Sequence, residues 1–169
     1  MRREVVVLAL LAAAAAAAAE PADPWKPLQF LVGEWVAEGE GAPGQGSGSF
    51  SFQLDLEGKV LVRRNRSDYP AAGVRPAFHH EDLLVIYADS GGKDIRAIYF
   101  DNEGHVVRYQ VESLGDTVRF LSEASAPEQR FRLTYRKTSR DTVIVEFEIA
   151  PPGKPEAFAH YAGGAARRK

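Results

Sequence analysis

Three groups of side chains in this sequence could carry chemistry. Arg63, Arg64 and Arg66 crowd one alternating stretch, His79-His80-Glu81-Asp82 sets metal-ligand types side by side, and His160 stands between Phe158 and Ala162. In extended backbone adjacent side chains point to opposite faces, so only His79 with Glu81, or His80 with Asp82, can converge, which is half a metal site. No metal site is therefore expected. Facing alternates along the arginines too. If Glu57-Gly58 is a two-residue turn, Arg63 shares a face with Leu61 and lies opposite Phe50, Phe52 and Leu54; another loop length brings in Arg64 and Arg66 instead. A buried arginine needs a carboxylate or a ligand anion. Glu112, Glu146 and Glu148 are candidate partners. His105 follows a tight turn, where a contact back to Asp101 is expected. No Gly-x-Ser-x-Gly, no His-Glu-x-x-His and no set of nucleophile, base and orienting group is present, so no catalytic residues are assigned and a binding protein is preferred to the alternative of an enzyme hydrolysing or isomerising a lipid-like substrate.

The elements that must position these residues are strands. Trp35 and Ala37 alternate with Glu34, Val36 and Glu38, and further strands are read at Phe50–Asp55, Lys59–Ser67, the nearly continuous apolar Leu83–Ala88, Ile95–Phe100, His105–Glu112, Thr117–Ala124, Gln129–Arg136, Thr142–Ala150 and Glu156–Ala162. Gly, Pro, Asn and Asp punctuate the gaps. Pro27 to Leu31 reads as one helical turn with Pro at its start, and Gly33 as its end. The fold expected is all-β: about ten antiparallel strands in an up-and-down barrel behind a short N-terminal helical turn. Closure removes exposed strand edges, and the glycine-rich first strand and Ala/Gly-rich last strand suit a close seam.

Domain organisation follows from composition. Residues 1–19 have Arg2 and Arg3, then an apolar run, then a small-residue stretch before Glu20, the pattern of a cleaved signal peptide. Residues 20–26 form a Pro-rich spacer and 27–169 a single barrel domain. The expected location is extracytoplasmic, periplasmic or secreted, without a stable membrane anchor after cleavage. The chain has 169 residues and no Cys, which excludes disulfides, thiolate metal sites and cysteine nucleophiles. A net charge of −2 gives no field for nucleic acid. Arg167-Arg168-Lys169 reads as a solvated, frayed end.

At Gly33-Glu34-Trp35-Val36-Ala37-Glu38-Gly39-Glu40-Gly41, after Leu28, Phe30 and Leu31, the chain resembles the calycin-type barrels: the lipocalins, the nitrobindin-like haem-binding group, or a related family of exported bacterial barrels. Ala37 replaces the middle Gly of the nitrobindin-like motif. The resemblance implies that Trp35 plugs the closed end. It also implies a small hydrophobic or amphipathic ligand held inside, with Trp35, Phe52, Arg63, Arg64, Tyr87, Tyr99, Tyr109, Phe147 and Phe158 as candidate lining residues and no cofactor. The alternatives are haem bound axially by His160, which falls where that group carries its ligand, and a purely structural barrel.

Overall fold

Period-two alternation becomes ten antiparallel strands in a computed structural model, which describes residues 23–37, 47–90, 92, 94–123 and 128–169. The leader read in residues 1–19, most of the spacer, and Glu38, Gly39, Glu40 and Gly41 lie outside the described residues. A 3-10 helix, Lys26–Leu31, precedes β1 (Gly33–Ala37), β2 (Ser47–Asp55), β3 (Val60–Tyr69), β4 (Phe78–Ala88), β5 (Ile95–Asp101), β6 (Val106–Leu114), β7 (Thr117–Ser122), β8 (Arg130–Lys137), β9 (Thr142–Ala150) and β10 (Ala159–Arg168). Each strand pairs with its sequence neighbours, and β10 pairs with β1 to close the barrel. The helix caps one end, called lower here, beside the turns at 56–59, 89–94, 115–116 and 138–141.

The strand set matches the sequence reading, with two instructive differences. β4 begins at Phe78, so His79-His80-Glu81-Asp82 is strand rather than loop. The last strand starts later and runs to Arg168, so the basic C-terminus is not frayed: Trp35 pairs with Arg168 and Ala37 with Ala166 across the seam. Four residues, Leu56 to Lys59, turn β2 into β3, yet Asp55 still faces Val60 and Phe52 faces Arg63. The longer loop is symmetrical about the expected turn and preserves the register.

The lower end is held by one constellation. Leu28, Leu31 and Trp35 are almost wholly buried, and the Trp35 indole N–H donates to the Leu31 carbonyl at 2.8 Å. The Trp25 indole N–H reaches the Gly58 carbonyl at 2.7 Å. Arg168 lies over the Trp35 ring, 4.4 Å from its centroid, and donates to the Val32 and Phe30 carbonyls at 2.6 and 2.9 Å. These carbonyls belong to the helix end, which lacks partners of its own. Gly33 lets the guanidinium pass: a Cβ there would sit 2.6 Å from Arg168 Nη1, and its φ of 125° disfavours any side chain.

Replacing Arg168 by Ala removes two charge-assisted bonds and the cation–π contact. It is expected to destabilise the barrel by about 2–3 kcal/mol in urea unfolding, and Arg168→Lys to recover only part, because an ammonium lacks the planar fork.

Candidate functional site

The barrel interior divides in two. In its lower half Trp35, Phe52, Leu61, Leu84, Ile86, Phe120 and Tyr135 are buried almost completely. The Phe50 ring stacks on Trp35 at 6.0 Å, while Phe52 and Tyr135 meet edge to face at 5.4 Å. This region is filled by its own side chains. Higher up, Tyr99, Val107, Phe131 and Phe147 point inward on β5, β6, β8 and β9 but remain partly exposed, with Phe131 and Phe147 stacked at 5.9 Å. Beside Phe147, β10 turns the small residues Ala162, Gly164 and Ala166 inward, paired with Phe147, Val145 and Val143, while Tyr161 at the strand's upper end meets the Phe147 ring edge to face at 6.0 Å. A Cβ built at Gly164 would meet nothing within 4 Å, and Gly164 is itself exposed. The candidate site is this upper lumen.

Its polar wall is a network across β3, β4 and β5. The Arg63 guanidinium donates to the Asp82 carboxylate, both side chains being at most 7% exposed. Asn65 Nδ2 donates to the other Asp82 oxygen at 2.9 Å. His80, on the same face of β4 as Asp82, places Nε2 3.0 Å from the Tyr99 hydroxyl and 3.5 Å from Asp82, while Nδ1 lies 3.1 Å from Glu103. Tyr99 donates to Asp101 at 3.2 Å, and Asp101 meets His105 Nδ1 at 2.8 Å. Below, Arg63 packs over the Phe50 and Tyr135 rings.

Electrostatics follow from this placement. Burial alone would depress the Arg63 pKa, but Tyr135 and Asp82 hold it above its ordinary value, so the ion is kept. Burial raises Tyr135 to about 12 against the opposing pull of Arg63, and it raises Tyr99 and Tyr109 as well. His80 is raised to about 9, chiefly by Asp82 against the cost of burial and then by Glu103. At neutral pH the network therefore holds two cations, Arg63 and His80, facing Asp82 and Asp101. Ser67 lies opposite His80 in register, but both ring nitrogens of His80 are engaged elsewhere.

The sequence-derived candidates separate cleanly. Trp35, Phe52, Arg63, Tyr99, Tyr109 and Phe147 face inward, Trp35 and Phe52 inside the sealed half. Arg64 and Tyr87 face outward, because Arg63, Leu84 and Ile86 take the buried positions beside them. Phe158 is also outside: it precedes β10, and the outward Arg132 packs over its ring at 4.2 Å. A bulge between His160 and Ala162 reverses facing, so Ala162 points inward while His160 is exposed opposite the outward Glu148. His160 thus presents no imidazole to the lumen, and the residues do not fit axial ligation of an internal haem. Among the named glutamates, Glu148 pairs with Arg132 and Glu112 with Arg119, leaving Arg63 to Asp82.

Sequence reasoning passed over Asp82 as Arg63's partner and left Asn65 and Tyr135 out of the candidate site residues. The period-two step from Arg63 to Asn65 was a usable signal. The pairing of Arg63 with Asp82 required the β3–β4 register. No protein-family model matches the chain, and no curated protein matches it.

Two outcomes follow. Asp82→Leu strands a buried guanidinium and is expected to cost about 3–5 kcal/mol in urea unfolding, whereas Arg63→Met/Asp82→Leu together lose less, since no charge is left uncompensated. His80 has a folded pKa above its unfolded one, so its stabilising contribution is complete below about pH 6.5 and lost as pH rises through about 9. The urea midpoint is expected to fall across that window, and His80→Gln to flatten the profile.

Proposed function

We propose that the protein is a calycin-like binding barrel that holds one small, largely apolar molecule in its upper lumen. The observation carrying this reading is the open space at Gly164, flanked by partly exposed Phe147 and Phe131 on the next two strands. A lumen meant to be filled would carry larger inward residues on β10 than Ala162, Gly164 and Ala166. Barrels of about eight or more strands have interiors wide enough for one small ligand.

Binding on this reading is burial of apolar ligand surface against the aromatic wall, worth about 25 cal/mol per Å² removed from water. The Tyr99 hydroxyl, which donates to Asp101 and faces His80 with one lone pair, keeps a second lone pair for the ligand's polar end. Arg63 is already neutralised by Asp82, so an uncharged ligand suits the site better than an acid that would require its own cation. Trp35 lies beneath the cap, the place the calycin resemblance gives it, and acts as a floor rather than a ligand contact. The leader pattern in residues 1–19 supports export, with the ligand met outside the cytoplasm.

The test uses 1-N-phenylnaphthylamine, an uncharged fluorophore. Saturable, one-to-one fluorescence enhancement is expected with the wild type. Gly164→Leu, which fills open space at an unstrained position, should weaken it at least tenfold while leaving the urea midpoint within experimental scatter. Unchanged binding in Gly164→Leu, or no saturable binding together with no small molecule retained in native mass spectrometry, overturns the reading in favour of a structural barrel.

A further inference from the structure

The outer side of β1 to β5 carries a groove of about 640 Å³, with the outward Arg64, Leu83 and Phe100 along it and the strand segments of Asn65, Asp82 and Asp101 also in its lining. Its volume falls within the range of small-molecule sites, about 300–1,000 Å³. Strand register builds its floor as a row: Glu34, Ser51, Arg64, Leu83, Phe100 and, beyond the groove's edge, Val106 stand side by side on successive strands. Charges in and beside the row are satisfied by neighbours. Glu34 meets Lys169 at 3.3 Å, and Arg66 meets Asp68 and Glu81 at 2.9 and 2.5 Å. Arg64 is the exception: exposed in the middle of the groove, it makes no ion pair among the described residues, and Ser51 stands directly across from it. To one side the surface turns apolar, with Leu83 partly buried, Phe100 at 40% exposure and Val106 at 61%.

A free guanidinium beside a hydroxyl, followed by an apolar strip, complements one ligand chemistry: an anionic head on a hydrocarbon chain. Arg64 and Val106 stand three strands apart, about 14 Å at ordinary strand spacing, roughly the reach of a ten-carbon chain. We propose that this groove is a second binding site, for a medium-chain carboxylate whose head pairs with Arg64 and whose chain lies along Leu83, Phe100 and Val106. The lumen and the groove then divide the work by charge, the former taking an uncharged molecule and the latter an amphipathic anion. Arg64 and Phe100 face outward on β3 and β5 while Gly164 faces inward on β10, so these positions can be altered separately.

The test is calorimetric titration of the full chain with decanoate, and with 1-decanol as the uncharged control. Decanoate is expected to bind the wild type and Gly164→Leu alike, and in Gly164→Leu to outbind decanol. Arg64→Gln should weaken decanoate about fivefold, the size expected of an exposed charge pair, with Arg64→Lys retaining most of the affinity. Phe100→Ser should weaken it as well, and added salt should reduce it. Arg64 is exposed and makes no ion pair among the described residues, so its variants are expected to fold normally, which circular dichroism checks. Wild-type affinity in Arg64→Gln, loss of decanoate binding in Gly164→Leu, or no binding to the wild type overturns the proposal. Fluorophore binding that Gly164→Leu weakens and Arg64→Gln leaves unchanged reports on the lumen, so failure of either site is seen independently of the other.

Discussion

The clamp of Arg168 on Trp35 and on the helix carbonyls is the constraint on which this barrel depends. A ten-stranded sheet closes only if its first and last strands meet in register, and those strands are far apart in sequence. Arg168 joins the second-last residue of the chain to Phe30 and Val32 at the cap and to Trp35 on the first strand. It satisfies carbonyls that the short helix leaves open and seals the lower end against water. Gly33 is part of the same device, since no other residue leaves room for the guanidinium.

With one end sealed, the interior can be unequal along its axis. Aromatic side chains fill the lower half, and the buried Arg63–Asp82 pair sits at the boundary, bounded below by the Phe50 and Tyr135 rings. A buried pair of this kind contributes little net stability, because desolvation offsets attraction, but it penalises any arrangement that separates the partners. Asn65, His80, Tyr99 and Asp101 extend the pair into a connected wall, which fixes one side of the lumen. The opposite side, on β10, is kept small. The resulting space is polar on one side and apolar on the other.

Local patterns were readable wherever the physics is local. Alternation at Phe50 and Phe52, the contact of Asp101 with His105 four residues on, and the convergence of His80 with Asp82 all follow from strand geometry alone. Facing was unreadable where alternation was absent or interrupted. Leu83 to Ala88 is apolar throughout, so nothing marked Tyr87 as outward. A single bulged residue, Tyr161, turned His160 out while Ala162 stayed in. Arg168 and Lys169 looked solvated because Val32 and Glu34, which they meet, lie more than a hundred positions away.

What the sequence by itself determined was the class of fold and the count of strands, because side-chain period and turn chemistry act over a few residues. It also narrowed the inward arginines of the 63–66 stretch to two alternatives, Arg63 or the pair Arg64 and Arg66, because facing alternates along a strand. Only the tertiary structure decided which carboxylate meets Arg63, which end of the barrel is sealed, and where space remains. Those outcomes rest on register between strands and on the closure of β10 against β1, which are relations between distant segments that no local pattern encodes.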